Sequence, residues 1–119
     1  MTHAEFYTLM GTVPIPNTES TLPSAYYEFE SAVTLPFICF YFPYRHDVYA
    51  DDVNFQTVEH AVVELYTNRK DFAQESAMET VLFNAGISYS KNPSQFISSE
   101  RMWQTVYEFE FVLTEENNA

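Results

Sequence analysis

Basic residues are scarce in this chain: five Lys and Arg against seventeen Asp and Glu, a formal net charge of -12. Arg45, Arg69, Lys70, Lys91 and Arg101 stand singly or as one pair. They form no stripe that would neutralise a row of phosphates, which argues against sequence-independent nucleic-acid binding and against docking on an anionic membrane. Glycine is scarcer still. Two residues, Gly11 and Gly86, leave no room for a Rossmann fingerprint or a phosphate-binding loop. One cysteine, Cys39, excludes an internal disulfide and a multi-cysteine metal site. It lies within Pro36-Phe37-Ile38-Cys39-Phe40-Tyr41-Phe42, where a thiol behaves as a small hydrophobe. No apolar run approaches the about 20 residues of a membrane-spanning helix, and no basic stretch followed by an apolar one marks a signal peptide.

Aromatic residues, in contrast, are abundant. Eleven Phe and nine Tyr in 119 residues exceed what one small core requires. Aromatics favour strands and interfaces, so a β-rich protein that buries some rings against partners is one reading, and a Phe-rich core rimmed by Tyr is the other. The length suits one domain over residues 1–119.

Periodicity predicts an α+β fold, one mainly antiparallel twisted sheet with about two helices. Thr2 and Glu5 form a capping box ahead of Phe6, Leu9 and Met10, with Gly11 as the stop. Residues 12–24 are irregular, with Pro14, Pro16 and Pro23, although Val13 and Ile15 suit a short edge strand. Ala25–Glu28 is a brief strand candidate, and Leu35–Phe42 is an apolar run expected as a buried strand. The segment Pro43–Asp52 reads as a hairpin loop. Val53–Thr67 alternates as a long strand, with Ala61, Val63 and Leu65 towards the core and Val62, Glu64 and Tyr66 opposite. Asn68 or Asp71 caps a helix running to Asn84, with Ala73, Ala77, Met78, Val81, Leu82 and Ala85 as its apolar face, Glu75 and Glu79 opposite, and Gly86 at its end. Ile87–Ser90 reads as a short strand and 91–94 as a turn. Arg101–Thr114 alternates as a second long strand, followed by a polar tail, 115–119, expected to fray.

The chemistry-bearing residues form no motif. His3 is expected at the surface. His60 shares a strand face with Glu64, and the pair suits a proton or metal, yet no third ligand is identifiable. His46, Asp47, Asp51 and Asp52 make a polar loop cluster without the spacing of a calcium loop. Glu108 and Glu110 share a face of the last strand, near Glu64 if the two long strands pair. They read either as an acid/base pair or as a solvated face. No catalytic residue, cofactor site or metal set is therefore assigned, and a non-enzyme is expected.

One resemblance adds a function. From Leu35 onward the chain resembles small virion proteins of long-tailed bacteriophages of Gram-positive hosts. The residues that carry it are Leu35-Pro36-Phe37-Ile38, Tyr49-Ala50-Asp51-Asp52, Glu64-Leu65-Tyr66-Thr67 with Lys70-Asp71, Glu75 and Glu79, Ser99-Glu100-Arg101-Met102 and Tyr107-Glu108-Phe109-Glu110. The family looks like tail terminator, or tail completion, proteins. The resemblance implies a homo-oligomeric ring, a hexamer in the family, on the end of the tail tube. Such a ring would stop tube polymerisation, join the tail to the head connector and let DNA pass through its lumen without specific binding. The implied partners are further copies of the chain, the tube protein and the head-completion protein. The implied location is the virion, with assembly in the host cytoplasm. Candidate interface residues are Arg45, His46, Tyr49, Asp51, Asp52, Tyr66, Glu108 and Glu110. Other neck or minor capsid components, and a soluble acidic DNA mimic, are the alternatives.

Overall fold

The fifteen-residue alternation of Val53–Thr67 produces the element on which the others assemble. The computed structural model describes residues 1–50 and 53–114, with backbone alone at 53–55. In chain order the elements are α1 (His3–Met10), β1 (Ser24–Tyr26), β2 (Phe37–Tyr41), β3 (Arg45–Ala50), β4 (Val53–Thr67), α2 (Phe72–Asn84), β5 (Tyr89–Lys91), β6 (Gln95–Ile97) and β7 (Met102–Val112). All seven strands join one sheet of order β1-β2-β4-β7-β5, with β3 also paired to β4 and β6 to β7. The expected α+β class holds, and the sheet is mixed only because β1 runs parallel to β2.

β4 is long enough to serve three partners. Its C-terminal half pairs antiparallel with β2, Phe37 opposite Tyr66 and Tyr41 opposite Val62. Its N-terminal half pairs with β3, Arg45 opposite Glu59 and Ala50 opposite Val53. Along its other edge β7 runs from Val112 opposite Val58 to Trp103 opposite Thr67. A period of two then sorts the side chains. Ala61, Val63 and Leu65 are buried, as are Tyr107, Phe109 and Phe111 on β7 and Ile38 and Phe40 on β2. Phe6 and Met10 of α1 and Met78 and Leu82 of α2 join the same core cluster, so both helices cover this face. Phe6 carries α1 onto it, its ring 5.1 Å from Phe40 and 5.5 Å from Phe111.

Both helix starts follow the local rules. Thr2 accepts from the Glu5 amide while the Glu5 carboxylate accepts from the Thr2 amide, a complete capping box. Asp71, rather than Asn68, caps α2 through the Gln74 amide. At the end of α2, Gly86 takes φ +73°, and the Ile87 amide reaches back to the Leu82 carbonyl at 3.0 Å. That is the reversal a glycine just past a helix permits.

The structure departs from the sequence expectations at several points. Arg45–Ala50 is a strand rather than a loop, because β4 outlasts its other partners and offers them an edge. Val13 and Ile15 make no strand, only an isolated bridge between Pro14 and Thr21. The strand expected at Ile87–Ser90 lies at Tyr89–Lys91, and β6 adds a further short one. The expected tail, 115–119, lies outside the described residues.

The largest correction concerns the face of α2. Ala73 and Ala85 are exposed, while Gln74 and Glu75 are buried beside Met78 and Leu82. Glu75 and Glu79, expected towards solvent, point at the sheet. Glu75 receives Lys70 Nζ at 2.6 Å on Oε2 and Lys91 Nζ at 2.8 Å on Oε1. Lys91 also reaches Glu79 at 2.8 Å, and the Tyr107 hydroxyl donates to Glu79 at 2.7 Å. Gln74 donates to the Pro14 carbonyl. These polar anchors rotate the helix so that a carboxylate, not an alanine, meets β5 and β7. Buried charge is stable only when so paired.

The titration of this network has a definite sign. Burial opposes the charge on Glu79, but the Lys91 and Tyr107 hydrogen bonds and the Lys91 charge outweigh it and hold the carboxyl below its ordinary 4.5. Burial likewise opposes the charge on Lys91, and its bonds to Glu75 and Glu79 outweigh it and hold the ammonium above 10.5. The Glu79 contribution is therefore present above pH 4.5 and lost as pH falls through the lowered value. The Lys91 contribution is complete below pH 10.5 and lost as pH rises through the raised value. Amide exchange in α2 should accelerate at both limits while the centre of β4 stays protected. Lys91→Met should cost about 2–3 kcal/mol in urea unfolding, because Glu75 keeps only Lys70.

Candidate functional site

Beyond β7, the hairpin of β3 and β4 continues as a two-stranded arm. β7 meets β4 only from Val58 onward, with one further bond from the Leu113 amide to the Thr57 carbonyl. All six residues of β3 are exposed. Among the described residues, β3 has no partner on its outer edge, and β4 has no partner strand over residues 53–56 on the β7 side. The molecule measures 51 × 28 × 27 Å. Val48 and Tyr49 are exposed on the arm and Tyr44 at its base, Tyr49 by 63%. The register shifts between Val48 and Tyr49, a bulge of the kind that increases local twist.

The base of the arm is fixed by Glu59. This carboxylate is 2% exposed and shares strand parity with Ala61, Val63 and Leu65, so it enters the core side of the sheet. There its Oε2 meets Arg45 at 3.0 Å and the His3 ring at 2.7 Å. His3 is thus not a free terminal side chain; its ring also packs 4.9 Å from Phe42. Farther along the arm, Asp47 accepts from Thr57 at 2.7 Å and from the Tyr49 hydroxyl at 3.3 Å.

On the opposite face, His60 stacks on Tyr44 at 4.5 Å and places Nε2 3.1 Å from Glu108. Glu110 lies 3.9 Å from His60 Nδ1 and 3.6 Å from His46 Nδ1. Asn92 donates to Glu108 at 2.9 Å. These bonds from Asn92 and His60 hold the Glu108 carboxyl below its ordinary range. Tyr44, His60, Asn92, Glu108 and Glu110, together with Ser88 and Ser90, line an open cavity of about 570 Å³.

The sequence-derived candidates therefore separate. Arg45, His46 and Tyr49 lie on β3, and Glu110 and Glu108 lie beside the base of the arm through His46 and His60. Asp51 and Asp52 lie outside the described residues. Tyr66 is at the far end of β4, where it donates to Glu64 at 3.2 Å and accepts from Gln104 at 2.9 Å. Glu64 is not the partner of His60, which meets Glu108 instead; Glu64 lies diagonally across from Glu108 on the same sheet face, with Glu110 farther off. Register sets Glu64 opposite Val106, while Glu108 lies opposite Val62 and Glu110 opposite His60. Burial raises the Glu64 carboxyl against the Tyr66 hydrogen bond, and it pushes the Tyr66 hydroxyl up to about 12. Sequence reasoning missed Glu59 and Tyr44. Strand parity is the signal that would have found Glu59, since a carboxylate in phase with Ala61 and Val63 needs a cationic partner.

Among the described residues no group of three or more His, Cys, Asp or Glu is arranged to hold a metal ion, and no helix is long and apolar enough to cross a membrane. No known protein family's profile matches the chain, and no curated protein matches it. Glu59→Ala should remove the carboxylate that Arg45 and His3 share. We expect about 2–3 kcal/mol of destabilisation, with hydrogen exchange accelerated in β3 beyond that global loss. An equal change throughout the chain would show that Glu59 does not hold the arm.

Proposed function

We propose that this protein is a structural subunit of a phage tail, the terminator that closes the tail tube and receives the head connector. The observation that carries the reading is the β3–β4 arm. A two-stranded ribbon is marginal in water by itself, and unpaired strand edges invite another chain. A ring requires one face of each subunit to meet a different face of its neighbour. An element that reaches past its own core, bearing Val48 and Tyr49, supplies such a contact. The ordered resemblance of segments from Leu35 to Glu110 to tail terminators agrees with it.

Charge is compatible with the same role. A subunit at -12 lines a lumen that repels DNA, so the genome slides without being held. In this reading, copies of the chain form the ring, hexameric as in the family, one rim meets the tube protein and the other meets the connector.

Electron micrographs of lysates from a phage with an early stop codon in this gene test it. Overlong or variable tails beside DNA-filled heads are expected. Normal-length tails lying free would move the protein to the neck. Intact infectious virions would overturn the structural role and favour a soluble acidic DNA mimic.

A further inference from the structure

The face of the sheet away from both helices carries a second feature, at the end of β4 opposite the arm. The segment 27–36 leaves the sheet after β1 and returns as β2, and between it and the sheet runs a groove of about 600 Å³. Phe29, Leu35, Phe37, Cys39, Tyr66 and Met102 line it. Phe29, Leu35, Phe37, Tyr66 and Met102 are each only partly buried, so apolar surface is left open to solvent. The thiol of Cys39, on the groove wall, is pushed up to about 11 by burial, with the charges of Glu64 and Glu28 adding to the shift.

Two properties define what the groove accepts. Its lip carries Glu28, Glu30 and Glu100, all exposed, and none has an ion-pair partner among the described residues. Among the described residues, 29–36 make no backbone hydrogen bond within the chain, so their backbone polar groups remain available to an extended partner. The lips are also held in an unusual backbone. Tyr27, which lines the groove, has φ +67°, and Arg101, between the lining residues Glu100 and Met102, has φ +51°. Left-handed backbone at a bulky residue persists where the surroundings enforce it, and such positions gather at binding sites.

We propose that this groove binds an extended, cationic and amphipathic peptide segment of another protein. Alternate apolar side chains of that segment enter between Phe29, Leu35, Phe37 and Met102, and its Lys or Arg residues meet Glu28, Glu30 and Glu100. A second copy of this chain does not supply the charge. Arg45, Lys70 and Lys91 are committed to buried Glu59 and Glu75, and Arg69 lies 3.9 Å from Asp71. Arg101 already flanks the groove. A site for a basic segment therefore lies about 40 Å from the far end of the arm, counting the thirteen residue steps from Tyr66 back to Val53 at about 3.3 Å each. It goes beyond the tail reading and stands without it.

The test uses the full chain, 15N-labelled, at about 0.15 M salt, where exposed charges alone are largely screened. The probes are three synthetic peptides: alternating Lys-Leu, alternating Glu-Leu and heptalysine. The Lys-Leu peptide should shift amides of residues 27–37 and 100–102 and slow alkylation of Cys39. Glu28→Lys with Glu30→Lys, both exposed and unpaired, should weaken that binding by about tenfold or more while leaving the spectrum folded. Equal binding of heptalysine with shifts spread over the acidic surface would overturn the groove. So would no binding of the Lys-Leu peptide, or concentration-dependent shifts of the same residues without peptide, which would make a second copy the occupant. None of these outcomes depends on tail length in infected cells.

Discussion

Everything in this fold hangs on the length of β4. Fifteen continuous residues give a strand that no single neighbour can cover. β2 takes one half of its edge, β3 takes the other, and β7 takes most of the opposite edge. Residues left over at the N-terminal end of β4 become the arm, and those at the C-terminal end support the groove. A strand of ordinary length would leave a closed sheet with neither feature.

The second determinant is ionic. The sheet face that receives α2 presents Tyr107, with Lys91 on β5 beside it, and the helix answers with Glu75 and Glu79. Hydrophobic burial by Met78 and Leu82 holds the helix down, while the carboxylates decide which way it is turned. In a chain with five basic residues, committing Lys70, Lys91 and Arg45 to buried carboxylates has a consequence outside the core. The surface is left almost wholly acidic, and the partners it favours must bring their own positive charge or need none.

Much of this architecture was legible in the residues. The bounds of β4, the buried triplet Ala61, Val63 and Leu65, the capping box at Thr2 and the alternation of β7 all follow from local rules of period and capping. The failures share one cause. The face of α2, the strand character of Arg45–Ala50 and the partial burial of His3 are each set by a partner distant in sequence. An apolar-moment argument turns α2 towards its alanines, because it cannot know that Lys91 waits beneath. The candidate site was legible only in part. Arg45, His46, Tyr49, Glu108 and Glu110 do gather around the arm and its base, whereas Tyr66 belongs to the other end of the sheet.

The arm and the groove lie towards opposite ends of β4, and in the proposed tail role that polarity would let one subunit meet two different partners. The most direct test of the account is photo-crosslinking in assembled tails, with a photoreactive amino acid in place of Tyr49. The account predicts a covalent product of twice the chain mass, joining position 49 of one copy to the body of another. Tails that contain the protein but yield crosslinks only within a single copy, or only to a different protein, would contradict it.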